Sequence, residues 1–96
     1  MAKLRHSGNV KETALKQAAV IRGMLNDLDH IIQILDIDIS TEEARARVLD
    51  RSDPAYPILA RTLATRRDNL KVTVTALEQR LGVINETTPQ IMAEAA

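Results

Sequence analysis

The sequence predicts an all-α fold: an antiparallel helical hairpin with a short intervening helix, dimerising into a four-helix-type bundle. Three observations carry that expectation. Apolar or small residues recur at heptad spacing in two long stretches, no proline interrupts either stretch, and the pentad "KVTVT", Lys71 to Thr75, which alternates like a strand, lies inside one of them. No turn residue bounds that pentad and the helical spacing runs through it on both sides, so it reads as helix.

The first stretch runs from Val10 to Leu35. Its seam is Ala14, Ala18, Ile21, Leu25, Leu28, Ile32 and Leu35, spaced alternately by four and three, on a helix roughly 40 Å long at ~1.5 Å per residue. Ser7 or Asn9 can cap its start. The run "DIDIS", Asp36 to Ser40, is expected to end it, because short polar side chains compete for backbone hydrogen bonds.

Ser40-Thr41-Glu42-Glu43 has the form of a capping box and predicts a short second helix of about ten residues, before "RSDPAYP". Pro54 and Pro57 push Asp53 and Tyr56 towards extended or turn conformations. A last helix spans Pro57 to Leu81 with Leu63, Leu70, Val74, Leu77 and Leu81 at heptad spacing, and Gly82 is placed to cap it. Residues 1–84 are therefore expected to form one helical domain, and 85–96 a flexible C-terminal tail.

Composition narrows the function classes. The apolar share is 45%, with no Phe or Trp and a single Tyr, so the core must be aliphatic. Thirteen basic residues balance thirteen acidic ones, which weakens the electrostatic case for nonspecific binding to nucleic acid or anionic membranes. The charges are blocked, however. Residues 1–22 carry five bases and one acid, residues 23–43 six acids and no base, and residues 44–80 eight bases and four acids. The lack of cysteine excludes disulfides and thiolate chemistry; the charged start has no signal-like apolar run, and no span approaches the ~20 apolar residues that cross a membrane. The expected location is cytoplasmic.

In "LATRRDNL", Leu63 to Leu70, two arginines stand where the seam asks for an apolar residue; counting in sevens from Leu81 and Val74 puts Arg67 on the core side. An antiparallel hairpin joined by residues 36–56 sets position 67 beside Leu28. Asp27 or Asp29 is then expected to pair with Arg66 or Arg67 and fix register. The alternative leaves both arginines on a solvated flank, their stems covering the seam.

The first helix has more apolar surface than one partner can cover: Val20, Met24, Ile31 and Ile34 lie outside its seam. Gly23, with Ala19 a turn earlier, makes a notch where another helix could approach closely. The expected partner is a second copy or a partner helix, and an antiparallel pairing of two first helices brings the basic half of one to the acidic half of the other. The expected interface anchors are Ile21, Met24, Leu25, Leu28, Ile31 and Ile32, with Leu63, Leu70, Val74 and Leu77 opposite.

Catalytic and ligand chemistry lack their parts. No Glu-x-x-His pair occurs, so a carboxylate-bridged metal pair is not expected, and Asp36-x-Asp38-x-Ser40 imitates a calcium loop but has Thr41 where glycine is required. The glycines are too scattered for a phosphate loop, and neither His6 nor His30 has a nucleophile at a recognised spacing. No metal, cofactor or catalytic residue is expected. "IRGMLNDLDHIIQIL", Ile21 to Leu35, resembles the opening of the all-helical chorismate mutases, small helical dimers; the resemblance implies that Arg22 binds a substrate carboxylate. That family's first helix goes on to supply another Arg and a Lys, where this chain has "DIDISTEE" with neither. A nucleic-acid-binding regulator would use Arg45, Arg47, Arg51, Arg61, Arg66 and Arg67, but lacks stacking aromatics. The expected function is a non-enzymatic protein–protein interaction module: a small adaptor, subunit or chaperone-like protein acting through an apolar helix face.

Overall fold

A computed structural model describes the backbone of residues 2–95 and the side chains of residues 10–86. Two helices pack against each other, α1 (Ala2–Ala46) and α2 (Ile58–Ala95), and no strand occurs among the described residues. The seam read from spacing is the face that packs. From Ala14 to Leu35 every seam residue of α1 is buried or half-buried, and so are Leu63, Leu70, Val74, Leu77 and Leu81 of α2. Arg67 shares their stripe and is half-buried with them.

Several expected boundaries are corrected. "DIDIS" does not end α1, which continues to Ala46, and no short helix lies between α1 and α2. The reason is that Ile39 falls four residues after Leu35, at the next seam position, and is only 4% exposed. Burying an isoleucine side chain is worth ~1.5–3 kcal/mol, against roughly 0.6 kcal/mol of helix propensity lost at each of Asp36, Asp38 and Ser40. The two sides are comparable, and in the continued helix Asp36 reaches Arg67 of α2. Ser40 is then exposed in mid-helix instead of capping, and Glu43 turns to Tyr56. Ser7 and Asn9 also lie inside α1, which starts at Ala2.

At the other end, Gly82 does not terminate α2, and among the described residues no glycine has positive φ. The helix runs on through the segment expected as a loose tail, to Ala95. The side chains beyond residue 86 lie outside those described.

The chain divides into two contact units, Asp27–Val74 and Met1–Asn26 with Thr75–Ala96. In the first, Ile39, Tyr56, Ala60 and Ala64 form the buried cluster, with Val48 and Leu63 packed on it. Ile32 and Leu35 are buried on the same stripe of α1. In the second, Ala18 and Ile21 are buried, with Ala14, Leu25, Leu77 and Leu81 half-covered.

The connection, residues 47–57, belongs to the first unit and is built from turns. Arg47 has φ 58°, and the amides of Arg47 and Val48 donate to the carbonyls of Ala44 and Glu43, each at 3.3 Å. That is the Schellman ending of a helix, with arginine in the left-handed position usually given to glycine. Two aspartates shape the turns after it. The amide and hydroxyl of Ser52 donate to the Asp50 carboxylate at 2.9 and 2.7 Å, holding its pKa below the ordinary value. The Ala55 amide donates to the Asp53 side chain at 2.8 Å, while the Tyr56 amide closes a turn on the Asp53 carbonyl at 2.9 Å, with Pro54 at the position where its fixed φ belongs. Pro57 then opens α2: its carbonyl accepts the Arg61 amide at 3.1 Å, and its missing N–H falls where no helical bond is needed.

Candidate functional site

A polar chain crosses the hairpin in the unit Asp27–Val74. Arg67 donates from Nη1 to Asp36 Oδ1 at 2.9 Å, and from Nε and Nη2 to Asp68 Oδ1, each at 3.1 Å. Its side chain is 15% exposed, against 48% for Asp36. The hydrogen bond that Arg67 donates to Asp36, with help from Asp68 against the cost of burial, holds the guanidinium proton more tightly than usual. Arg67 thus pairs with an acid of α1 from inside the seam, and that acid is Asp36, where the expectation was Asp27 or Asp29 paired with Arg66 or Arg67. With position 67 fixed, the partner moves from the neighbourhood of Leu28 to Asp36, about two helical turns. The register shifted because α1 absorbs residues 36–46 and leaves a shorter connection. Asp29 accepts from Gln33 within its own helix at 3.0 Å. Arg66 points elsewhere and lines a shallow surface groove with Arg61, Thr62, Thr65, Asn69 and Leu70.

Tyr56 anchors the connection. Its ring is buried, its hydroxyl donates to Glu43 Oε2 at 3.0 Å, and Arg61 lies over the ring with its guanidinium carbon 5.8 Å from the centroid. Arg61 also donates to the Arg51 carbonyl at 3.2 Å, and Arg51 reaches Asp68 at 4.0 Å. Burial first, then the bond to Glu43 and its charge, raise the phenol pKa above its usual value. Sequence reasoning missed Asp36, Glu43 and Tyr56 as a set. The signal was available: once Ile39 is read as the next seam residue, Asp36 and Glu43 fall on flanks of the face that meets α2.

The expected interface residues divide into two groups. Ile21 and Ile32 are buried, and Leu25, Leu28, Leu63, Leu70, Val74 and Leu77 are half-buried; these serve the packing of α1 on α2. Met24 and Ile31 point outward. With Val20, Ile34 and Ile37 they are among the apolar side chains of α1 that the hairpin leaves open, at 38% to 65% exposure; Val10 and Leu15 are open as well, at 42% and 46%. In the unit Met1–Asn26 with Thr75–Ala96, this surface opens a groove of about 370 Å³. Val20, Ile21, Met24 and Leu77 supply its apolar walls, Thr13 and Gln17 extend the α1 side, and Lys16 and Arg80 stand at its edge.

The arrangement offers contact surface and little chemistry. Among the described residues no three His, Asp or Glu side chains converge as a metal site, and no helix is long and apolar enough to cross a membrane. Arg22 is exposed and donates to Asn85 at 3.4 Å. Of the arginines that could form a cationic stripe, Arg45 pairs with Glu42 at 3.1 Å, and Arg51 and Arg67 pair with Asp68 and Asp36. Comparison with known protein families, curated proteins and solved structures gives no match to this chain.

Proposed function

We propose that the chain is a non-enzymatic interaction module, an adaptor, subunit or chaperone-like protein, that presents the outer apolar flank of α1 to a second copy of itself or to a partner helix. One observation carries the reading. The a/d-type seam of α1 is covered by α2, yet Val20 and Met24 in one unit, and Ile31, Ile34 and Ile37 in the other, keep large aliphatic surfaces in water. Of these, Val20, Met24, Ile31 and Ile34, spaced four, seven and three, return to one flank of the helix. A cytoplasmic location suits the cysteine-free sequence. The nucleic-acid alternative is weakened by the carboxylates that already engage Arg45, Arg51 and Arg67.

The test compares the chain with Val20→Ser/Met24→Ser/Ile31→Ser. Light scattering reads self-association, and affinity capture from the source cell reads hetero-association. Assembly of either kind that the triple variant loses while keeping its helical circular dichroism supports the module. A wild-type chain that stays monomeric and captures nothing through this flank removes it.

A further inference from the structure

The groove beside Val20 and Met24 is shaped for a helix of particular character, and the sequence of α1 contains one. Along its α1 wall run Thr13, Gln17, Val20 and Met24, spaced four, three and four, with Lys16 and Ile21 beside them. The same spacing recurs at Asp27, Ile31, Ile34 and Asp38, where two exposed isoleucines sit between two exposed carboxylates. The groove is lined by apolar side chains and by two exposed cations, Lys16 and Arg80. An aliphatic pair bracketed by acids is complementary to it in both respects.

Resting on the interaction reading proposed for the α1 flank, we infer that this groove receives the Asp27–Asp38 segment of α1 from a second copy of the chain, with the two α1 helices antiparallel. Direction follows from charge. A parallel pair would lay Lys16 against Lys16 and Asp27 against Asp27. The antiparallel pair sets the basic half of each copy, which includes Lys11 and Lys16, against the acidic half of the other. Each copy carries both halves, so the contact is made twice and closes on itself as a two-fold dimer.

Charge reversal tests this without disturbing the hairpin, because all four residues are exposed. Lys16→Glu/Arg80→Glu makes one chain, and Asp27→Lys/Asp38→Lys makes the other. By sedimentation equilibrium each alone should dimerise at least about tenfold more weakly than wild type, since four rim pairs become repulsive. An equimolar mixture should regain the wild-type affinity as a heterodimer, every reversed charge then facing its opposite. The chain has no cysteine, so Gln17→Cys and Ile34→Cys provide unique handles. A short bismaleimide should join residue 17 of one variant to residue 34 of the other, and neither to its own kind.

Folded variants that dimerise as well as wild type, a mixture without rescue, or dominant 17-to-17 links each overturn the antiparallel self-docking while leaving a module that binds something else. Tight binding of an unrelated acidic helix by a monomeric chain does the same. A chain that associates with nothing overturns both readings.

Discussion

Arg67 holds a position where heptad spacing calls for an aliphatic side chain, and its value there is directional more than energetic. A half-buried ion pair gains Coulomb energy but loses hydration, and replacing such a pair by a hydrophobe is often neutral or favourable, whereas stranding one partner is costly. Arg67→Met leaves Asp36 without its partner, but that carboxylate is 48% exposed and rehydrates, so the variant should unfold within about 1 kcal/mol of wild type, on either side. Asp36→Ala should lose about 1–2 kcal/mol, discounted because Asp36 is half exposed and Asp68 remains with the arginine. Urea melts of the two variants decide it; equal, near-zero effects would make the pair ornamental. Tyr56 yields a pH prediction of definite sign. The folded chain keeps its phenol protonated to higher pH than the unfolded chain, whose value is near 10.0. Its contribution is complete below that value and is lost as pH rises through the raised folded value. Thermal midpoints should fall faster above pH 10 for wild type than for Tyr56→Phe, and Phe should start from a lower midpoint at neutral pH because Glu43 loses its donor. Parallel curves for the two would show that Tyr56 is not held as described.

The elements show what local sequence could and could not disclose. Both seams were legible residue by residue, including the arginine inside the second, because helical period survives any detail of packing. The ends were not. Asp36, Asp38 and Ser40 favour termination locally, but the burial of Ile39 and the reach of Asp36 to Arg67 are tertiary facts that a local rule cannot weigh. The acid partner of Arg67 was misplaced for the same reason, since a shorter connection slides one seam along the other by about two turns. The open flank of α1 was readable from Val20, Met24, Ile31 and Ile34, while the groove needed the placement of Leu77 and Arg80. At the true end of α1, Arg47 takes a left-handed conformation that costs an L-residue ~1–2 kcal/mol and glycine almost nothing. Arg47→Gly should thus stabilise the hairpin by about 0.5–1 kcal/mol, after subtracting the freedom glycine gains when unfolded. Arg47→Val should destabilise it, because a branched Cβ crowds that conformation further. A loss of stability in the glycine variant would show that α1 does not end there.

For the whole molecule the aliphatic composition sets a limit on what one copy can hold together. Among the described residues the buried apolar set numbers eight, three of them alanine, with Tyr56 the one aromatic. A chain of 96 residues with so light a core has little stability to spare. In the proposed self-docking, covering the outer flank of α1 in a second copy would remove further aliphatic surface from water at ~25 cal/mol per Å², and association would become part of folding. The consequence is a melting temperature that depends on concentration, which no single-chain account produces. For a dimer that unfolds to separate chains, a hundredfold increase in concentration adds ~2.7 kcal/mol to stability, a rise of roughly 5–10 °C. The comparison is made by circular dichroism from a few micromolar to a few hundred. The Val20→Ser/Met24→Ser/Ile31→Ser chain, measured alongside, should melt lower and show no such dependence. A wild-type transition that is cooperative and independent of concentration would mean that one copy of the hairpin is sufficient to itself and that water is the natural neighbour of its outer flank.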